Sequence, residues 1–244
     1  MGICSIEASN LKFSYEKNLR VIDGLSFRMD GCCSVGIIGA NGTGKSTLLK
    51  LLVGLVTNYS GSLTVAGYSV NKKNLSEIRK YIGYVFQDSD SQLFMSTVYD
   101  DVAFAPMNYG IKGQQLEICV DNALKMTHIS HIRDKHTFAL SGGEKKLASI
   151  ATVLSMTPKI ILMDEPTAAL DPRNRRNIIN ILNSLECMKI ITSHDLDMIL
   201  DTCERTILIN NGRIAADGKT SDILSDEHLL EENGLELPLS LCRK

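Results

Sequence analysis

Gly39 to Ser46 reads GANGTGKS, glycines at the first, fourth and sixth places followed by a lysine and a hydroxyl. The run fits G-x-x-x-x-G-K-[ST], in which backbone N–H groups free of side-chain bulk can wrap a polyphosphate. Gly39, Gly42 and Gly44 open that backbone. Lys45 can reach the outer phosphates, the Ser46 hydroxyl can ligate magnesium, and Thr47 adds a second hydroxyl to the cradle. The dinucleotide pattern G-x-G-x-x-G is absent, which disfavours a Rossmann oxidoreductase.

Two other runs carry chemistry. IILMDE puts Asp164 and Glu165 at the carboxyl end of a buried strand, the edge at which open α/β sheets hold ligands. Asp164 can hold magnesium through water, and Glu165, directed the other way along the strand, can polarise an attacking water. A strand end turning at Pro166 explains the position but not both acids. LSGGEKK, Leu140 to Lys146, precedes apolar residues at helical spacing, Leu147, Ile150, Ala151 and Leu154. Ser141 and Glu144 read as a capping box. Two glycines nevertheless fill the first turn, where a better helix former would be favoured by about 1 kcal/mol each. A plain capped helix leaves Gly142 and Gly143 unexplained.

The elements that must position these residues follow from periodicity. Ser5 to Tyr15 and Leu25 to Met29 alternate as half-buried, antiparallel strands. Cys33 to Gly39 is a continuous apolar run ending in the glycine loop, and STLLKLLVGL after it is helical. Ser62 to Val65 and Tyr81 to Phe86 are further strands. Residues 87–156 are mainly helical in spacing, punctuated by Pro106, Gly110 and Gly113, and read as an inserted helical subdomain. KIILMD, KIITS and TILIN then alternate with helical stretches, as in a parallel sheet covered on both faces. Asn210-Asn211-Gly212 marks a terminal hairpin. The expected fold class is α/β with a P-loop core, a mixed sheet, N-terminal antiparallel strands and the helical insertion. One domain spans 1–225, its core about 1–86 and 157–225 and its helical subdomain about 87–156, with a C-terminal tail over 226–244.

Composition narrows the function classes. The chain has 244 residues, 44% hydrophobic and 22% charged, and a formal net charge of −2. RNRR is its longest basic run, so there is no electrostatic footprint for nucleic acid. No segment approaches eighteen uninterrupted apolar residues and no secretory leader is legible, so a cytosolic chain is expected. The opening MGICSI has Ile6 where a myristoylation motif takes Ser or Thr, and reads as a strand start. Seven cysteines, odd in number and without CxxC spacing, read as reduced, small buried residues rather than as a disulfide frame or zinc site. His128, His131 and His136 read as a solvated helix face.

Gly39 to Ser46, Gln87, LSGGEKK, ILMDEPTAALD and TSHD stand in the order and spacing of the ATP-binding cassette (ABC) ATPases, and the resemblance runs over nearly the whole chain. It implies an ATPase that works with Mg2+ as a head-to-tail dimer, each ATP lying between one chain's P-loop and the other chain's LSGG. By this resemblance Gly39, Ala40, Asn41, Gly42, Thr43, Gly44, Lys45, Ser46 and Thr47 bind ATP and Tyr15 stacks on adenine. Ser46, Gln87 and Asp164 serve the metal. Glu165, His194 and Gln87 act in hydrolysis, His194 keeping Glu165 and the water in line. Ser141, Gly142, Gly143 and Asp171 serve the partner's nucleotide. Members often carry arginine where Leu147 stands, which bears on a surface contact rather than on the nucleotide site.

VFQDSDSQLFMSTVYDDVAFAPMNYG and the tail LLEENGLELPLSL closely resemble the ATPases of energy-coupling factor importers, particularly the cobalt-transport type. That implies a peripheral subunit on the cytoplasmic face of the membrane, powering uptake of cobalt, nickel or a vitamin. Its partners would be a second ATPase, identical or paralogous, an integral membrane subunit docked on the helical subdomain, and indirectly a cargo-binding membrane subunit. The expected groove has a floor of Leu93, Phe94, Val98, Val102 and Phe104 and a rim of Asp88, Asp90, Asp100 and Asp101. A soluble cassette clamp on nucleic acid or ribosome is the alternative, without the second cassette or basic stripe it would use. A small-molecule kinase or GTPase would not need LSGG.

Overall fold

The computed structural model describes residues 4–16 and 19–242. The strand start expected over residues 1–3 and the end of the tail at 243–244 lie outside them. Two long strands, β1 (Ser5–Glu16) and β2 (Leu19–Asp30), pair antiparallel, and β1 also pairs antiparallel with β4 (Ser60–Val65). Between β1 and β4 in the chain come β3 (Ser34–Ile38) and α1 (Lys45–Leu52). A two-residue strand, β5 (Tyr68–Ser69), completes this sheet in the order β2-β1-β4-β5.

After α2 (Leu75–Tyr81) the chain enters β6 (Ile82–Val85). Three helices follow: α3 (Val98–Asn108), α4 (Gly113–Met126) and α5 (Gly142–Leu154). The sheet resumes with β7 (Ile160–Asp164), and α6 (Pro172–Ser184) leads to β8 (Met188–Thr192). Then come α7 (Leu196–Thr202), β9 (Arg205–Asn210) and β10 (Arg213–Lys219). The second sheet has the order β10-β9-β3-β8-β7-β6, parallel throughout except for the β9–β10 hairpin. Asn211 at φ 48° and Gly212 at φ 72° form that hairpin's turn, as a two-residue turn with both φ positive requires.

The continuous apolar runs have a physical cause. Val35, Leu162 and Ile190 face a core closed by α1 and the antiparallel sheet. Ile38, Ile161, Met163 and Ile191 face a second core closed by the helices from α3 to α7. A strand covered on both faces has no polar side to alternate with. The carboxyl ends of β3, β7 and β8 therefore meet at one edge, where the chemistry-bearing residues sit.

Several local expectations differ from the structure. α2 and β5 had no sequence signal, since α2 buries only Ile78. Pro106 lies inside α3 instead of ending it; the helix simply stops two residues later, so the backbone bond lost at Pro106 is near the end. His128 follows α4 at φ 59°, His131 is in a short 3-10 turn and His136 bonds the Ser96 carbonyl, so the three share no helix face. No His, Cys, Asp or Glu cluster that could hold a metal occurs among the described residues. All seven cysteines are free, but only Cys203 is buried. After α8 (Thr220–Leu224) and α9 (Glu227–Glu232), Leu235 and Leu237 pack back on the helical core.

Candidate functional site

β3 delivers the glycine loop and α1 begins at its end. Gly39 has φ 149°, and a Cβ there would lie 2.2 Å from the Ile209 carbonyl oxygen, so the loop enters beside β9 only as glycine. α1 starts at Gly44 with no side-chain cap and no acid in its first turn. Its free N–H groups and the positive end of its dipole form an anion cradle. The Lys45 ammonium donates to the carbonyls of Gly39 (2.8 Å) and Ala40 (3.0 Å) and lies 3.2 Å from His194 Nε2. Burial lowers its pKa, against the pull of Glu165 and Asp164. Thr43 closes the loop by donating to the Ala40 carbonyl at 2.9 Å.

β7 and β8 supply the acids. Asp164, only 4% exposed, accepts through Oδ1 from Ser46 (2.9 Å) and Thr192 (2.6 Å), and through Oδ2 from the Tyr84 hydroxyl (3.2 Å). These partners fix a hard-oxygen pair, Asp164 and Ser46, suited to magnesium. Glu165 stands one residue beyond β7, at φ 48°. Its direction is therefore set by a left-handed turn and not by strand alternation, which corrects the expected geometry. Oε2 accepts from the backbone N–H of His194 (3.1 Å) and from Ser193 Oγ (3.3 Å). Oε1 is buried without a hydrogen-bond partner, 3.5 Å from His194 Nε2. Positive φ in a non-glycine residue and an unpaired buried carboxylate oxygen are both costly, and they coincide here.

Lys45, Ser46, Glu165 and His194 open into one cavity of about 690 Å³, lined also by Tyr15 and Gln87, while Gly39, Ala40, Thr43 and Asp164 lie behind its wall. Asn41, Gly42, Gly44 and Thr47 line it too. Tyr15 is 54% exposed at its mouth, packs edge-on against Phe13 and has its hydroxyl 3.3 Å from Thr47 Oγ1. Sequence reasoning missed Val21, Thr167, Ala168 and Asp195 in this lining. Asp195 takes Arg175 Nε (2.5 Å) and Nη2 (2.7 Å), with Thr167 Oγ1 at 3.3 Å. It also caps α7 by accepting from the Met198 N–H at 3.0 Å, and as the last residue of TSHD it carries a local signal that was not assigned a role.

Ser141, Gly142, Gly143 and Asp171 do not line the cavity. Ser141 caps α5 in a reciprocal box with Glu144, and the Ser141 backbone N–H, followed by Lys135, pushes the Glu144 carboxyl down to about 2. Asp171 caps α6 and accepts from Asn174 Nδ2 at 2.5 Å. Gly142 would place a Cβ in open space, whereas a Cβ on Gly143 would lie 2.4 Å from Asn174 Nδ2. Gly143 thus has an intrachain packing reason and Gly142 has none.

A cleft of about 290 Å³ lies between β6, α3 and α5, with Arg79, Phe86, Gln92, Asp101, Phe104 and Tyr109 in its wall. Phe94 (64% exposed) and Phe104 (41%) meet edge to face at 4.8 Å on this surface. The expected floor is divided, because Leu93, Val98 and Val102 are core. The expected four-acid rim is absent. Asp88 caps the turn at Asp90, Asp90 pairs with Lys145 and Asp100 accepts from Thr97. Only Asp101 lines the cleft, 3% exposed, with Oδ1 accepting from the N–H groups of Phe94 and Met95 and Oδ2 buried without a partner. Burial raises its pKa.

A phosphate loop between a buried strand and a helix, with an acid pair on the neighbouring strand, defines a P-loop nucleoside triphosphatase. Within that class the ABC transporter family pattern matches residues 22–168. An ABC transporter ATP-binding protein of Geobacter sulfurreducens is 46% identical over 97% of this chain and 95% of its own length. The energy-coupling factor transporter ATP-binding protein EcfA of Carboxydothermus hydrogenoformans is 43% identical over 96% of this chain and 88% of its own. The structure of CbiO1 from Clostridium perfringens, part of the ABC transporter complex cbiONQ, superposes with TM-score 0.84 at 32% identity, covering 95% of this chain and 94% of that one. The chain belongs to the ABC transporter ATPase family; it is an ATP-hydrolysing, ATP-binding transporter subunit. Among the described residues no helix is long and apolar enough to cross a membrane.

Proposed function

We propose that this chain is the peripheral ATPase of an energy-coupling factor importer, working from the cytoplasmic face of the membrane on the uptake of cobalt, nickel or a vitamin. ATP enters the 690 Å³ cavity with its phosphates in the glycine loop from Gly39 to Thr47 and its adenine against Tyr15. Lys45 exchanges its loop carbonyls for the outer phosphates. Ser46, Asp164 and Gln87 would hold Mg2+, which neutralises phosphate charge when bound. Glu165 takes the proton of the attacking water on Oε1, the buried oxygen without a partner, and that observation carries the hydrolytic reading. The His194 and Ser193 contacts hold Oε2, so the carboxylate is aimed before substrate arrives. Ser141, Gly142, Gly143 and Asp171 act on the nucleotide of a second ATPase, identical or paralogous, as the family resemblance of the LSGG and AALD runs implies; their place off the chain's own cavity is compatible with that.

The helical subdomain, residues 87–156, is the docking part. Its cleft suits an amphipathic cytoplasmic helix whose apolar face covers Phe94 and Phe104 and whose basic side chain reaches Asp101 Oδ2. The test is co-purification and ATP-driven uptake in vesicles with membrane subunits of an energy-coupling factor importer from the same genome, assayed with Co2+, Ni2+ and vitamins in turn. Phe94→Glu and Phe104→Glu should release the ATPase from membranes while leaving soluble ATP binding intact. Unchanged recovery of the complex with both variants would place the contact elsewhere.

A further inference from the structure

The ion pairs at the carboxyl end of the parallel strands are those of Glu165 with His194 and of Asp195 with Arg175. Asp164, 4% exposed, has none among the described residues, and the Lys45 ammonium is given to the Gly39 and Ala40 carbonyls. A buried charge is ordinarily held by an opposite charge or by a metal ion. Neutral hydroxyls hold Asp164 instead, and they come from three separate elements: Ser46 of α1, Thr192 of β8 and Tyr84 of β6.

Strand register explains how they converge. Thr192 stands directly opposite Asp164, so a short side chain reaches Oδ1, at 2.6 Å. On the other side Tyr84 is opposite Leu162, two residues before Asp164, which puts Tyr84 and Asp164 on one face of the sheet. The offset along the strand is about 6.6 Å, a span for a phenol and not for a serine or threonine. The Tyr84 ring is wedged edge-on against Phe86 at 4.7 Å, and its hydroxyl meets Oδ2 at 3.2 Å. Burial first, and then the charge of Asp164, push the phenol pKa well up, so the hydroxyl keeps its proton and donates. Each carboxylate oxygen thus has a donor outside the phosphate loop, and rotation of the carboxylate would break both contacts. Neither Tyr84 nor Thr192 lines the nucleotide cavity, so any effect on its contents passes through Asp164.

We propose that Tyr84 and Thr192 are positioning residues for the divalent cation, each holding one oxygen of Asp164 so that the carboxylate is oriented with Ser46 before the metal arrives. The inference rests on the nucleotide reading above and adds two residues to its metal site.

Tyr84→Phe and Thr192→Val each remove a hydroxyl and keep the shape of the side chain. Binding of a slowly hydrolysed ATP analogue to the full chain is measured by isothermal titration in EDTA. The affinity of the analogue-loaded chain for Mn2+, the probe for Mg2+, is measured from the free-ion signal in electron paramagnetic resonance. Both variants should bind the analogue in EDTA as the unmodified chain does, while Mn2+ affinity falls about tenfold, as expected when a ligand loses its outer partner. Unchanged Mn2+ affinity in either variant overturns the role of that residue. A fall in analogue affinity in EDTA as large as the fall in Mn2+ affinity marks a merely structural hydroxyl and overturns the role as well. If the unmodified, loaded chain binds Mn2+ no more tightly than the free analogue does, the metal site fails and takes the proposal with it. No binding of the analogue to the unmodified chain under either condition removes the nucleotide reading itself.

Discussion

Replacing each glycine of LSGG by alanine separates two roles that the sequence presents as one. At Gly142 an added Cβ meets nothing within 4 Å, and the position is the first residue of α5. Gly142→Ala should therefore leave the monomer unchanged or stabilise it by up to about 1 kcal/mol through helix propensity. At Gly143 the added Cβ lies 2.4 Å from Asn174 Nδ2 and 2.6 Å from its Cγ, and that Nδ2 is the donor to Asp171. Asn174 must shift, but the clash is with the end of a partly exposed side chain, so the cost is the disturbed contact to Asp171, about 0.5–1.5 kcal/mol, which for a chain of this size lowers Tm by roughly 1–6 °C. Function should reverse the order of clarity. If the Gly142 N–H meets the partner's γ-phosphate, a methyl there that disturbs one charge-assisted contact costs about 1.5–3 kcal/mol, roughly 10- to 150-fold in turnover. The assays are thermal unfolding, equilibrium ATP binding and steady-state hydrolysis on the same preparations. Gly142→Ala with unchanged Tm, unchanged ATP binding and unimpaired hydrolysis would refute the role in trans. Gly143→Ala with unchanged Tm would refute the packing argument.

Glu165→Gln should bind ATP with near-normal affinity and lose steady-state turnover, because the phosphate cradle is untouched while the proton acceptor is gone; turnover near wild type would exclude it as the base. Lys45→Ala should weaken ATP binding by about 1.5–3 kcal/mol, a 10- to 150-fold rise in Kd by isothermal titration, since one charge-assisted contact to phosphate is removed. Glu144 has its carboxyl pushed from 4.5 down to about 2, so its support of the α5 start is complete above pH 4.5 and is lost as pH falls toward 2. Glu144→Gln should accordingly flatten stability across that acid window in chemical unfolding, and an unaltered acid slope would contradict the capping role.

What was legible in the sequence was chemistry carried by contiguous residues. GANGTGKS, the Asp164-Glu165 pair and the Ser141–Glu144 box each declare themselves through fixed spacing, and the structure forms a loop, strand end and cap from them. The buried strands were equally clear, because covering both faces leaves nothing but apolar residues. The direction of Glu165 was not legible, since it depends on a backbone turn at φ 48° that no residue type at that position announces. The acidic rim was misread for a related reason. Counting carboxylates ignores which are already engaged, and Asp88, Asp90 and Asp100 are held by neighbouring groups, leaving Asp101 inside the cleft.

Among the described residues two buried carboxylate oxygens have no partner, Glu165 Oε1 and Asp101 Oδ2, and they bear on how far a single chain is complete. Most buried polar atoms find a partner within the fold, so an oxygen left over is a cost that folding alone does not recover. Both orphans open onto cavities: one lined by the phosphate loop, the other beside two exposed phenylalanines. Between those cavities runs the segment from Phe86 to Gln92, which lines both and is bonded to α5 along its length. An occupant of either cavity would lie beside one end of that segment, Gln87 on one side and Phe86 and Gln92 on the other. If the proposed function holds, ATP on one side and a membrane helix on the other would meet one segment that is bonded to α5.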